Sequence, residues 1–115
     1  MTADQILEIF NHGMTTKDTN ELMGVATSLE CFRSPTLSTP KIVTGEKAPE
    51  AFRKAISSMA KSRDSVAIEV DQKIGDDRNA VYLLNVKSGR NKSKRALTIG
   101  LRGSSLISFV ETDAV

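Results

Sequence analysis

A chain of 115 residues has the length of one domain and can bury roughly two-thirds of its unfolded surface, enough for a core without staples. With 39% hydrophobic and 26% charged residues it reads as an ordinary globular protein. A net charge of +2 is too balanced to predict a nucleic-acid or membrane partner. The single cysteine, Cys31, excludes an intrachain disulfide and makes the cytoplasm the expected location. One histidine and one cysteine leave no protein-only zinc site, and no cofactor is expected.

The opening MTADQILEIF is acidic and has no basic n-region, so no secretory signal is expected. Thr2 and Gln5 have capping-box spacing, and Ile6, Leu7, Phe10 and Met14 follow at helical intervals, predicting a first helix over 3–12. Gly13 is placed as the residue that ends it. Thr16 reads as an N-cap, with a short second helix over 17–25 that Gly24 weakens. Residues 29–33 form a short strand stopped at Ser34-Pro35, because proline has no amide donor. Residues 41–43 suggest a minor strand. Pro49 suits the first turn of a third helix, whose apolar face is Phe52, Ala55, Ile56 and Met59.

After Arg63-Asp64 the period changes. Val66, Ile68 and Val70 alternate with Ala67, Glu69 and Asp71, as in a half-buried strand. The cluster 75–79 is turn chemistry. Residues 81–86 are apolar on both faces, as in a central strand. After a turn at 88–91, Arg95, Leu97, Ile99 and Leu101 alternate with small or polar residues. A further turn at 102–104 leads to a last strand over 106–111. Four strands joined by short turns make an antiparallel meander, with the helices covering one face: an α+β fold.

This order over residues 1–115 resembles the nuclear-transport-factor-2-like superfamily, whose smaller members are called SnoaL-like. The resemblance rests on Phe10 before a Thr-Lys-Asp helix start, on Ser34-Pro35, on Gly45 ahead of a helix bearing Phe52, and on the final ISFVETD. It implies one SnoaL-like domain. Its curved antiparallel sheet would wrap the helices as a cone-shaped half-barrel (cystatin-like, order ααβ(β)αββββ). It also implies a small apolar ligand in the cone's mouth and a homodimer through the outer sheet face.

The chemistry of the related ketosteroid isomerases needs a carboxylate base before the proline, a tyrosine on helix 1 and a protonated acid on the penultimate strand. Those positions fall on Ser34, Phe10 and Leu97 or Ile99, so no catalytic residue is assigned. An Asp-Arg-Asp network of the epoxide-hydrolase type would draw on Glu69, Asp71, Arg95 and Glu111. Among these only Arg95 shares parity with Leu97 and Ile99. His12 reads either as a base or as a cation complementing a helix C-terminus, and Cys31 either as a nucleophile or as packing. The basic run GRNKSKR (89–95) reads as a phosphate or nucleic-acid contact or as a solvated hairpin tip; no aromatic lies in it to stack bases.

The expected site is therefore an apolar pocket lined by Phe10, Met14, Phe32, Ser34, Phe52, Ile56, Leu97 and Ile99, with His12 and Arg33 as polar candidates. The alternatives are a noncatalytic dimerisation or protein-interaction module, and an isomerase or hydrolase with a divergent site. An open cone favours the ligand; a cone packed by phenylalanines opposes it.

Overall fold

The computed structural model describes residues 1–114. Helices α1 (Ala3–Thr16) and α2 (Asn20–Gly24) are followed by strand β1 (Cys31–Ser34), a 3-10 turn (Pro35–Leu37), β2 (Thr39–Thr44) and helix α3 (Lys47–Lys61). Strands β3 (Val66–Gly75), β4 (Asn79–Ser88), β5 (Asn91–Arg102) and β6 (Ser105–Asp113) complete the chain. The sheet order is β2-β1-β6-β5-β4-β3. The meander β3 to β6 is antiparallel, as is β1 with β2. β1 joins β6 in parallel, a pairing that the local pattern of either strand does not carry.

α1 starts as its capping box dictates. Gln5 donates its amide to Thr2 Oγ1 at 3.2 Å, and Thr2 donates its own to Gln5 Oε1 at 2.8 Å. The helix then runs through Gly13 to Thr16, four residues past the expected end. Gly13 serves packing, not termination: a Cβ there would lie 3.2 Å from Leu22 Cδ2. The left-handed residue that ends α1 is Lys17, with φ 65°. Thr16 does not open α2: its hydroxyl donates back to His12 O at 2.7 Å and accepts from the Asp18 amide at 3.1 Å, but Lys17 between them is left-handed and the next helix starts only at Asn20. α2 accordingly shrinks to five residues.

α1 packs against β3 and β5, and α3 against β1 and β2, all on one sheet face. On β4 the residues facing that inner side are Ala80, Tyr82, Leu84 and Val86, all buried, while Val81, Leu83 and Asn85 are half-buried on the outer side. β3 continues beyond the expected 66–71 through an irregularity between Val70 and Gln72. The extra residue inverts the parity, so Lys73 pairs with inward Tyr82 and Ile74 with outward Val81. The strand ends at Gly75, φ 120°, where a Cβ would meet Asn79 O at 2.2 Å; no other residue fits this turn.

Tyr82 bolts the first turn of α1 to the sheet. Its hydroxyl donates to Asp4 Oδ1 at 2.5 Å, and Lys73 Nζ lies 3.0 Å from the same oxygen. The Tyr82 bond, then Lys73, holds the Asp4 carboxyl below its usual range. Burial and then the Asp4 bond push the Tyr82 phenol well above its usual value. A raised folded-state pKa gives stability that is fully present below pH ~10 and is lost as pH rises further. Tyr82 is the one tyrosine in a chain without tryptophan, so phenolate absorbance reads it alone. It should ionise only together with alkaline unfolding; a reversible midpoint near 10 in the folded protein would contradict this bolt.

Candidate functional site

The residues expected to line a pocket do come together, but as a solid core. Phe10, Met14, Phe32, Ser34, Phe52, Ile56, Leu97 and Ile99 each have 0% exposure. A cavity holding even one water would leave accessible surface on its walls. Phe109 sits at the centre: its ring is 4.9 Å from Phe10, 5.5 Å from Phe52 and 6.2 Å from Phe32, and Phe32 is 5.2 Å from Phe52. Three of these four pairs are edge-to-face, the arrangement aromatic quadrupoles favour. Of the two outcomes the sequence left open, a cone lined by these residues or one filled by them, the packing is the second: aromatic volume occupies the space.

Glu111, named from the sequence only as a member of a possible carboxylate network and set off the inward parity, lies inside the fold. It is 0% exposed and points inward, opposite Leu97 and two residues beyond Phe109. One carboxyl oxygen accepts from Ser34 Oγ at 2.9 Å and from the Thr36 amide at 2.8 Å; the other accepts from Thr36 Oγ1 at 2.8 Å. Ser34 Oγ in turn accepts from the Leu37 amide at 3.3 Å. This knot fixes the corner between β1 and β2. Arg33 stands on the outer side of it, donating Nη1 to Glu111 O and Nε to Pro40 O, both at 2.7 Å. Both partners are backbone carbonyls, so Arg33 clips β1, β2 and β6 together. The parity count failed because Ile107 and Val110 are also apolar and the register shifts between Gly100 and Leu101. The usable signal was the two-residue step from Phe109.

His12 lies on the exposed side of α1, 56% exposed and 3.9 Å from Asp18. It is separate from the aromatic core and from the Glu111 knot. Arg95 faces inward and pairs with Asp113, while its Nε is buried without a partner among the described residues. The residue two before Asp113 is the already engaged Glu111, and the residue two after Arg95 is the hydrocarbon Leu97. No group of three or more His, Cys, Asp or Glu residues that could hold a metal is present among the described residues.

Two clefts lie outside this core. One, of about 220 Å³, opens between the C-terminal ends of α1 and α3 and the 3-10 turn; Lys17, Thr36, Ser38, Met59 and Ser62 line it. Lys17 Nζ donates to Met59 O at 3.4 Å, where an ammonium complements the C-terminal end of α3. The other, of about 730 Å³, lies at the β4–β5 hairpin end of the sheet and carries Lys87, Lys92 and Lys94. Between the hairpin end and β1, the outer face presents Val81, Leu83, Ala96 and Val110, all half-buried, beside Ile74 at 54% exposure.

This architecture has solved counterparts. An NTF2-like protein from Anabaena variabilis superposes with a TM-score of 0.74 at 21% identity, over 98% of this chain and 87% of that one. The chain has the nuclear-transport-factor-2-like fold. An NTF2-like protein of unknown function from Cytophaga hutchinsonii matches this fold at TM-score 0.70 and 10% identity, over 99% and 91% of the two chains. A candidate ketosteroid isomerase from Kribbella flavida matches at 0.67 and 10%, over 96% and 78%. No family model and no curated protein matches the sequence. Within the nuclear-transport-factor-2-like frame, Ser34 holds the place before the strand's proline, and its hydroxyl is spent on Glu111. Among the described residues no helix is long and apolar enough to cross a membrane.

Proposed function

We propose that this single nuclear-transport-factor-2-like domain is a noncatalytic interaction module that pairs with a second copy through its outer sheet face. The observation that carries the reading is the filled cone: the side chains a ligand would touch have no accessible surface. Outside the cone, the small-molecule reading is left with the cleft of about 220 Å³, below the ~300–1,000 Å³ of ordinary ligand sites, and with the groove of about 730 Å³ at the hairpin end, which has the volume but is lined by Lys87, Lys92 and Lys94 in place of the apolar walls of the cone. Isomerase or hydrolase chemistry would have to begin from groups already bonded within the fold, such as Ser34 and Glu111.

The outer face supports the pairing. Ile74, Val81, Thr98 and Val110 lie in one cross-strand row, and Leu83 and Ala96 lie in the next. Exposed apolar surface of this kind, with polar surroundings, marks an interaction site. A two-fold axis lying across the strands at the Val81–Thr98–Val110 row points the lysine ends of the two copies in opposite directions and leaves them outside the contact, which keeps like charges apart. Leu83→Glu puts two carboxylates into such an interface. The wild-type chain should sediment as a dimer and Leu83→Glu as a folded monomer. A wild-type monomer at high micromolar concentration, or a variant that remains dimeric, would overturn the proposal.

A further inference from the structure

The lysine end of the outer face carries charge that the chain itself does not balance. Lys87 and Lys92 are direct cross-strand partners, and Lys94 lies opposite Asn85 on the same face. All three are exposed, and none forms an ion pair among the described residues. Like charges placed directly opposite one another destabilise a sheet. Protection of an edge does not account for Lys87, because β4 is paired on both sides at that residue, with Ala67 and with Lys92. The three ammonium groups line the 730 Å³ groove together with Asn85 and Glu69.

We propose that this groove binds an extended acidic peptide segment with carboxylates at alternate residues. A strand rises about 3.4 Å per residue, so Lys92 and Lys94 stand ~7 Å apart, the spacing of alternate side chains in an extended peptide. Asn85 and Glu69 discriminate between polyanions. Glu69 only accepts hydrogen bonds when ionised, and Asn85 both donates and accepts. A peptide backbone offers N–H groups to match these acceptors, whereas a phosphodiester backbone offers none. The groove also lacks a stacking platform: Tyr82, Phe10, Phe32, Phe52 and Phe109 are all buried inside the cone, and single-stranded nucleic acid binds largely by stacking. The groove belongs to one chain and does not depend on the pairing proposed above.

The test is fluorescence anisotropy of the full chain with three labelled probes: an alternating Glu-Thr octapeptide, its isomer with all Glu residues in one block, and a ten-nucleotide oligothymidylate. The alternating peptide should bind roughly tenfold more tightly than the blocked isomer, and Lys92→Glu and Lys94→Glu should each weaken it by about tenfold. Lys87→Glu replaces a like-charge pair with an opposite-charge pair, so it should raise the melting temperature while weakening the peptide. That combination separates recognition from folding. Equal binding of the two peptides would reduce the groove to bulk charge and overturn the proposal. Tighter binding of the oligonucleotide would overturn it in favour of nucleic acid. Unchanged peptide binding with altered sedimentation in the lysine variants would return the groove to the interface between copies.

Discussion

Phe109→Ala should lower stability by about 3–5 kcal/mol, the range for deleting a fully buried ring. Phe109 is the hub of the aromatic cluster, within 6.2 Å of three other rings, so its loss also removes edge-to-face pairs each worth roughly 0.5–1.5 kcal/mol. In a domain of this size the midpoint of thermal unfolding should fall by roughly 10–20 °C. The variant should also gain a property. The void is walled by Phe10, Phe32 and Phe52 and should stay dry, so a benzene-sized probe should bind it and recover part of the lost stability. The wild-type protein should show no such effect. Stabilisation of the wild type by the same probe would mean that the cone is already open.

Glu111→Ala should be comparably severe for a different reason. It removes the acceptor of Ser34 Oγ, of the Thr36 amide and of Thr36 Oγ1. Of the abandoned donors the Ser34 hydroxyl is buried and the two on Thr36 are part-buried, and each group left unsatisfied away from water costs about 1–3 kcal/mol. A loss of roughly 3–5 kcal/mol in urea unfolding follows. Glu111→Gln keeps one carbonyl acceptor, and Thr36 can turn its hydroxyl, so about 1–2 kcal/mol is expected. The Thr36 amide should lose protection from hydrogen exchange in the alanine variant. A change below ~1 kcal/mol for Glu111→Ala would show that the β1–β2 corner is held without this knot.

The elements were legible where local chemistry decides them. The capping box at Thr2 and Gln5, the apolar stripes of α1 and α3, and the alternation of β4 all follow from spacing and burial. Two kinds of feature were not legible. One is a local backbone break: Thr16 accepts from the Asp18 amide as a cap would, but Lys17 is left-handed and the helix does not start there. The other is irregular register. The extra residue near Val70 in β3 and the shift near Gly100 in β5 each break a two-residue count. The second of these helped hide the inward placement of Glu111, a fully buried carboxyl. Gathering the phenylalanines at one place was readable from their positions on the elements. Whether they line a space or fill it depends on side-chain volume in three dimensions, and here they fill it. The lysine end was visible as a basic run and Arg95 as sharing the parity of Leu97 and Ile99, but the register was needed to set Lys87 against Lys92 and Arg95 beside Asp113.

The inside of the cone is sealed, and the outside of the sheet is the proposed working surface. Methyl spectra of the wild-type protein, recorded over a dilution series from millimolar to low micromolar concentration, test both halves at once. Shifts should move at Val81, Leu83, Ala96 and Val110 as copies separate, and stay fixed at Ile6, Met14, Ile56, Leu97 and Ile99. Invariant outer-face methyls across the whole series, or movement confined to the inner set, would contradict it.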